Sequence, residues 1–216
     1  MSASEPSAAI NRVTAPFLLS TDGRAALAEL QQHDLSEQLT MTRLQDLRRE
    51  FSPAEAGALL TQARLRQKAV GKFPNAEQLF FTPDALEQAT AWPVAQHRAA
   101  WFAERVPAGP ILDLGCGIGG DLLALAEQRP VIGIDLDPVR LQFAAANAEI
   151  MGVADRVQLI EADWTSLRRA GTLPHAVAAF ADPARRRGSK RIFRLHQIQP
   201  LFRNCWHYNS KFQPWV

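Results

Sequence analysis

The stretch Ile111-Leu112-Asp113-Leu114-Gly115-Cys116-Gly117-Ile118-Gly119-Gly120-Asp121 decides the fold of this chain. Its apolar first part, residues 110–114, predicts a buried strand, and the glycines predict a tight turn that leads into a helix from Asp121 onward. Glycine suits the turn because a Cβ atom would keep the backbone away from a ligand and would oppose positive φ angles. The helix N-terminus adds free N–H groups and partial positive charge to the same crevice. The stretch therefore predicts a loop that binds a nucleotide-like cofactor.

Two cofactor classes fit this loop. Residues 115–120 satisfy the pattern G-x-G-x-x-G, which is typical of nicotinamide and flavin dinucleotide sites. Asp113 lies two residues before Gly115, where its carboxylate would point into the crevice, repel a pyrophosphate and attract an ammonium group. S-adenosylmethionine carries that ammonium group and has no phosphate, and Gly119 extends the loop to D-x-G-x-G-x-G-G. The charge argument favours S-adenosylmethionine, with a nicotinamide-dependent oxidoreductase as the alternative.

Acidic residues follow the next two predicted strands. The strand Val131–Asp135 ends in an acid twenty residues after Gly115, from which a carboxylate can accept both ribose hydroxyls. The strand Val157–Glu161 runs into Asp163 and Trp164. Asp163 can accept from the adenine amino group and Trp164 can cover the ring; alternatively, Asp163 caps the following turn and Trp164 packs on the sheet.

These motifs resemble a known family. D-L-G-C-G-I-G-G-D, G-I-D-L-D-P and E-A-D-W, at these spacings, resemble the cofactor-binding motifs of class I S-adenosylmethionine-dependent methyltransferases, over about residues 95–185. Residues 78–83 (Q-L-F-F-T-P) and 181–186 (A-D-P-A-R-R) resemble bacterial methyltransferases that carry a THUMP-like domain. A more distant similarity is to the trimethylguanosine synthase group, which modifies RNA cap guanines.

The resemblance implies a set of cofactor contacts. In similar families the F-x-T-P segment lies beside the methionine end of the cofactor, where the Thr82 hydroxyl would serve its carboxylate. The alternative is a linker whose aromatic residues dock the helical region onto the sheet, with Thr82 capping the helix that starts at Pro83. The predicted cofactor-binding residues are Thr82, Asp113, Gly115, Cys116, Gly117, Gly119, Asp135, Leu136, Asp163 and Trp164.

The fourth predicted strand, residues 176–181, leads into Asp182-Pro183-Ala184-Arg185. In amino-directed methyltransferases the corresponding motif is [DNS]-P-P-[YFW], whose oxygens accept hydrogens from the target amine. The resemblance therefore implies catalytic roles for Asp182 and Pro183. Ala184 and Arg185 depart from the motif, so stacking on a base would fall to the arginine guanidinium. The alternative is a simple Asp-Pro turn at a strand end.

A basic cluster follows directly. Arginine-rich runs beside a cofactor crevice favour phosphate recognition over a merely solvated loop, and they indicate an RNA substrate. Arg185, Arg186 and Arg187 are therefore the predicted substrate-binding residues. The six cationic residues are Arg185, Arg186, Arg187, Lys190, Arg191 and Arg194.

Composition narrows the class of protein. The chain has 216 residues, 47% of them hydrophobic, with a net charge of +2. Cys116 and Cys205 form neither a disulfide framework nor a C-x-x-C metal pattern, and no metal ligand cluster is evident. No signal peptide or long apolar run occurs, which predicts a soluble cytoplasmic protein without a membrane partner. The oligomeric state does not follow from the sequence.

Alternating strands and helices predict an α/β fold with a Rossmann-like doubly wound parallel sheet of about four strands. Apolar residues at three-to-four spacing over residues 21–69 predict a preceding helical region. We expect an N-terminal helical region at residues 1–72 and a methyltransferase domain at 73–216 that is truncated at its C-terminus. The predicted reaction is methyl transfer to a nitrogen acceptor on RNA; a non-catalytic RNA-binding module that keeps the fold is a further alternative.

Overall fold

The computed structural model describes residues 9–33, 35–182, 186–187 and 190–191. Its centre is a parallel four-stranded sheet with the strand order β3-β2-β1-β4. The four strands are β1 (Ile111–Leu114), β2 (Val131–Asp135), β3 (Val157–Glu161) and β4 (Ala178–Ala181). A separate antiparallel pair joins β5 (Arg186–Arg187) to β6 (Lys190–Arg191). The Rossmann-like sheet of about four strands is therefore confirmed.

Six helices of the described chain precede the sheet, and the first four confirm the predicted N-terminal helical region. The second to fourth lie within the predicted span 21–69, and the fourth begins with a reciprocal capping box between Ser52 and Glu55. The helices of the described chain are α1 (Thr14–Leu19), α2 (Thr21–Leu30), α3 (Glu37–Leu47), α4 (Pro53–Ala69), α5 (Pro83–Gln88), α6 (Trp92–Arg105), α7 (Gly120–Gln128), α8 (Pro138–Ile150) and α9 (Trp164–Ala170).

The central strand β1 is buried on both faces, as expected for a parallel sheet covered by helices. Leu112 and Leu114 belong to the apolar cluster that includes Trp164 at the start of α9. Ile111 belongs to the larger cluster that includes residues of α6, α7 and α8. Because side chains alternate along a strand, Asp113 lies on the same face as Ile111. A carboxylate is thus placed inside the larger apolar layer.

The larger cluster also extends into the N-terminal helices. Leu18 of α1, Leu27 of α2 and Leu59 of α4 are fully buried in the same cluster as Phe80 and Phe143. The helical region and the sheet therefore share one hydrophobic core across the predicted boundary at residue 72. No helix of the described residues is long and apolar enough to cross a membrane.

Candidate active site at the carboxyl edge of the sheet

The glycine loop connects β1 to α7 and is open towards its ligand side. Gly115, Gly117 and Gly119 have φ angles of 86°, 57° and 98°, which disfavour residues with a Cβ atom. A Cβ atom built on Gly115 or Gly117 would meet no atom within 4 Å. The loop therefore leaves free space above its backbone, as a cofactor cradle requires.

Strand register places two of the predicted acids on either side of this loop. Leu114 pairs with Ile134 on β2 and with Ala181 on β4. The residues that follow, Asp135 and Asp182, therefore lie level with Gly115 at the carboxyl ends of their strands. In parallel sheets this edge is where ligands bind.

Asp135 fastens the glycine loop to β2. One carboxylate oxygen accepts the Gly117 N–H at 2.8 Å, and the other accepts the Asp137 N–H at 2.9 Å. The side chain is 8% exposed, so these hydrogen bonds are largely shielded from water. A second lone pair on each oxygen remains for ribose hydroxyls, and that contact stays a prediction.

Asp113 is the most deeply buried acid of the site, with 3% exposure. Its Oδ2 atom accepts no hydrogen bond from the described residues. Burial raises the pKa of Asp113 well above its ordinary value; Asp121, Asp135 and Asp182 raise it further, and Arg98 opposes them. A buried carboxylate with an unused oxygen beside an open loop suits a cationic ligand group.

Asp121 and Arg98 are two further charged residues that interact electrostatically with Asp113. Neither was predicted from the sequence as a site residue. Asp121, in the first turn of α7, accepts the Thr90 hydroxyl at 2.7 Å and pairs with the Arg98 guanidinium. Arg98 lies 4.3 Å from the centre of the Phe180 ring on β4. Because Phe180 pairs with Asp113 across the sheet, Arg98 extends over the strand end that carries Asp113. Asp121 could have been found from the sequence, because it is an acid in the first helical turn after the glycine loop. No sequence pattern pointed to Arg98.

Thr82 caps α5 and lines a cavity next to the sheet edge. Its hydroxyl accepts the Ala85 N–H at 3.3 Å, and Pro83 occupies the first helical position. The cavity has a volume of about 240 Å³, and Asp137, which contacts Asp135, also lines it. Its wall consists of Ile10, Asn11, Arg12, Thr82, Pro83, Asp84, Asp137, Val139 and Arg140. The Thr82 hydroxyl can cap α5 and also contact a cofactor. The cofactor contact stays a prediction.

Asp163 and Trp164 have the structural roles considered for them as alternatives. Asp163 caps α9, and its carboxylate accepts the Thr165 N–H and the hydroxyls of Thr165 and Ser166. Those hydroxyls, Thr165 first, lower the pKa of Asp163. Trp164 is 6% exposed and packs with Leu112. Adenine contacts by either residue stay predictions.

The remaining predicted residues differ in accessibility. Cys116 is buried in the loop, and burial raises the pKa of its thiol. Leu136 follows β2 and is 67% exposed, so its apolar side chain is available to a ligand. Asp182 is exposed.

The predicted substrate side of the site is described only in part. Pro183 and Arg185 lie outside the described residues, and of Arg186 and Arg187 only the strand β5 is described. Among the residues that the structure covers, no group of three His, Cys, Asp or Glu side chains could hold a metal ion.

Comparison with known proteins places this geometry in a fold family. The first fold match is a crystal structure of a protein assigned as a methyltransferase from Porphyromonas gingivalis, with a TM-score of 0.50 and 20% identity over 63% of this chain and 35% of that one. Residues 108–187 match the family model described as RNA cap guanine-N2 methyltransferase. The matched residues include the glycine loop and the four strands of the parallel sheet. The predicted fold and cofactor are thereby confirmed, and the dinucleotide alternative is not supported.

Similar proteins extend the match beyond the sheet. An uncharacterised S-adenosylmethionine-dependent methyltransferase of Mycobacterium tuberculosis is 42% identical over 153 residues, covering 66% of this chain and 38% of that protein. A U6 snRNA (guanine-N(2))-methyltransferase of Mus musculus, THUMPD2, is 27% identical over 179 residues, or 69% of this chain and 33% of that protein. Residues 12–69 match a domain family of unknown function. The chain thus spans about two fifths or less of the length of these relatives.

Proposed function

We propose that this chain belongs to an enzyme that transfers the methyl group of S-adenosylmethionine to an exocyclic amine of an RNA base, with the N2 amine of guanine as the first candidate. The observation that carries the proposal is the pairing of an open glycine loop with the buried, unused Oδ2 atom of Asp113. The guanine-N2 preference is supported by the matching family model and by the mouse relative. The THUMP-like resemblance of residues 78–83 and 181–186 points in the same direction.

The residues of the chain fit S-adenosylmethionine. Asp113 would accept the ammonium group, and Gly115 and Gly117 would allow close approach to their backbone. Asp135 would accept the ribose hydroxyls, and the exposed Leu136 would contact the adenine face. When bound, the sulfonium supplies an activated methyl group, so the protein's task is alignment and removal of water.

Asp182 is the proposed partner of the acceptor. Its position level with Gly115, directly after the strand next to β1, supports this role, because the methyl group would lie at the same edge of the sheet. It would accept a hydrogen bond from the acceptor amine, hold the nitrogen lone pair towards the methyl carbon, and take up a proton as the new C–N bond forms and the C–S bond breaks. Pro183 would supply a backbone carbonyl, and Arg185, Arg186 and Arg187 would hold RNA phosphates.

The test combines binding and transfer. Calorimetry of the 216-residue chain should show binding of S-adenosylhomocysteine and none of the nicotinamide dinucleotides. Labelled S-adenosylmethionine should then transfer methyl to total RNA, and Asp182→Ala, which removes the accepting side-chain oxygen, should abolish transfer while leaving cofactor binding unchanged. Binding of a nicotinamide dinucleotide alone would overturn the proposal. Salt-dependent RNA binding without any methyl transfer would favour the non-catalytic RNA-binding module instead.

A further inference from the structure

The segment that leads into Thr82 is held by side chains. Thr82 lines the cavity and directly follows residues 78–81. Within this segment Leu79, Phe80 and Phe81 are fully buried. Their backbone polar groups need partners because buried N–H and C=O groups are costly when unpaired. In the described structure, side chains of α4 and α8 supply many of these partners.

Asn147 of α8 serves one side of this segment. Its Oδ1 accepts the Phe80 N–H at 2.7 Å, and its Nδ2 donates to the Phe80 carbonyl at 3.0 Å. The same Nδ2 donates to the Ile118 carbonyl at 3.1 Å. Asn147 is 1% exposed, so all three hydrogen bonds are shielded from water.

Ile118 lies inside the glycine loop, between Gly117 and Gly119. The amide of Asn147 therefore joins two walls of the cofactor site that are far apart in sequence: the glycine loop and the segment that ends at Thr82. An amide with both N–H donors engaged cannot rotate without breaking one of these contacts. The position of the loop and the position of Thr82 are thereby linked through one side chain.

Gln62 of α4 provides an internal comparison on the opposite side of the segment. Its Nε2 donates to the Leu79 carbonyl at 3.2 Å, and its Oε1 accepts the Phe81 N–H at 3.3 Å. It is fully buried like Asn147. In the described structure its hydrogen bonds reach the segment and not the glycine loop. Both amides hold the segment, but only Asn147 also joins it to the glycine loop. A comparison of the two residues therefore distinguishes these two roles.

We propose that Asn147 is a positioning residue for the cofactor, which sets the glycine loop against the Thr82 segment through its hydrogen bonds to Phe80 and Ile118. This inference rests on the proposed function, because it needs the cofactor to lie between these two walls. Asn147 acts through the loop and does not itself contact the cofactor.

The test compares Asn147→Leu with Gln62→Met, which both replace a buried amide by an apolar side chain of similar volume. Both variants should lower the thermal midpoint of the 216-residue chain. Calorimetry with S-adenosylhomocysteine should show a dissociation constant about tenfold higher for Asn147→Leu, the order expected when a hydrogen bond that orders a binding loop is lost. For Gln62→Met it should stay within about twofold of the wild type.

Equal dissociation constants for the two variants, or a wild-type value for Asn147→Leu, would overturn the positioning role. No binding by the wild type would instead defeat the proposed function. If Asn147→Leu does not fold, Asn147→Asp replaces it, because its carboxyl group keeps the acceptor for the Phe80 N–H and loses the Nδ2 donor to the Phe80 and Ile118 carbonyls. As an independent measurement, S-adenosylhomocysteine should slow hydrogen exchange at Phe80 in a Thr82→Ala variant, and unchanged exchange there would contradict the link.

Discussion

Asp113 differs from the other acids of the site in its surroundings. Asp135 has both oxygens engaged by backbone N–H groups, and Asp121 has a hydroxyl and a guanidinium, whereas Oδ2 of Asp113 accepts no hydrogen bond from the described residues. The fold therefore places a carboxylate where its charged form lacks solvation. A cationic ligand group would supply the missing partner.

Replacing Asp113 by Asn should weaken cofactor binding with little loss of fold. The variant keeps the shape of the side chain and removes the charge that attracts the ammonium group. We expect the dissociation constant of S-adenosylhomocysteine to rise by about 10- to 100-fold, the worth of one charge-assisted hydrogen bond. Calorimetry measures this, with Asp155→Asn on the exposed turn before β3 as the control. Equal affinities of Asp113→Asn and the wild type would contradict the assignment.

The pH dependence of stability should report the same carboxylate. Because burial raises the pKa of Asp113 in the folded state, the native protein retains a proton that the unfolded chain loses near pH 3.9, the approximate ordinary value. The contribution of Asp113 to the free energy of unfolding therefore falls as the pH rises from about 3.9 to the pKa of Asp113 in the folded state. At higher pH this contribution is constant. Groups with lowered pKa, such as Asp163 and Glu55, act in the opposite direction.

Those opposing contributions cancel when wild type and Asp113→Asn are compared. Urea unfolding without ligand, measured from pH 4.5 upward, should show the stability of the wild type decreasing relative to the variant as pH increases. A difference that does not change with pH would show that Asp113 titrates normally.

Two glycines, Gly133 and Gly57, differ in how closely other atoms pack against them. A Cβ atom on Gly133, in the middle of β2, would lie 2.5 Å from Leu122 Cδ1 and 2.9 Å from Cys116 Sγ. A Cβ atom on Gly57, inside α4, would meet no atom within 4 Å. The first glycine lets α7 and the loop pack against the strand, whereas the second only lowers the helical propensity of α4.

Alanine at these two glycines should change stability in opposite directions. Gly133→Ala should destabilise the protein by about 1–3 kcal/mol through overpacking against Leu122. Gly57→Ala should stabilise it by about 0.5–1 kcal/mol, because alanine is the better helix former and the space is free. Urea unfolding of both variants measures the difference, and a destabilising Gly57→Ala would show that α4 packs more tightly there than described.

The described chain as a whole has a core that crosses the predicted domain boundary. Leu59 on α4 and Phe143 on α8 lie fully buried in one cluster, and Gln62 and Arg66 of α4 bind the backbone of the segment before Thr82. Burial removes solvation from the Arg66 guanidinium and lowers its pKa to about 10, so it still carries its charge at neutral pH. The helical region and the sheet are thus parts of one packed core.

The helical region and the sheet should therefore unfold together. Leu59→Ala removes a fully buried side chain from α4 and should cost about 2–5 kcal/mol. Native-state hydrogen exchange should show a matching loss of protection in β1 and β2, far from the substitution. Val13→Ala, at an 81% exposed position, should leave exchange unchanged. Loss of protection confined to α4 would indicate independent unfolding of the two regions.

Local pattern alone predicted much of this molecule. The bounds of β2 and β3, the capping box at Ser52 and the glycine loop follow from residues within a few positions of one another, where alternation, capping and backbone freedom act. The strand order β3-β2-β1-β4 was not predicted, because the right-handed preference of crossovers does not fix which strands are neighbours. The roles of Asp163 and Trp164 could not be decided in this way, since a cap and a ligand contact require the same residue types.

Only the tertiary structure decided which distant side chains meet. Arg98 pairs with Asp121 across 23 positions of sequence, and Asn147 binds Phe80 across 67. Such contacts depend on how helices pack on the sheet, and no local spacing encodes them. The sequence determined that a carboxylate stands before the glycine loop; the packing of α6 and α7 determined that it is buried. The physical reason is that solvation, charge and hydrogen bonding of a side chain depend on its neighbours in space.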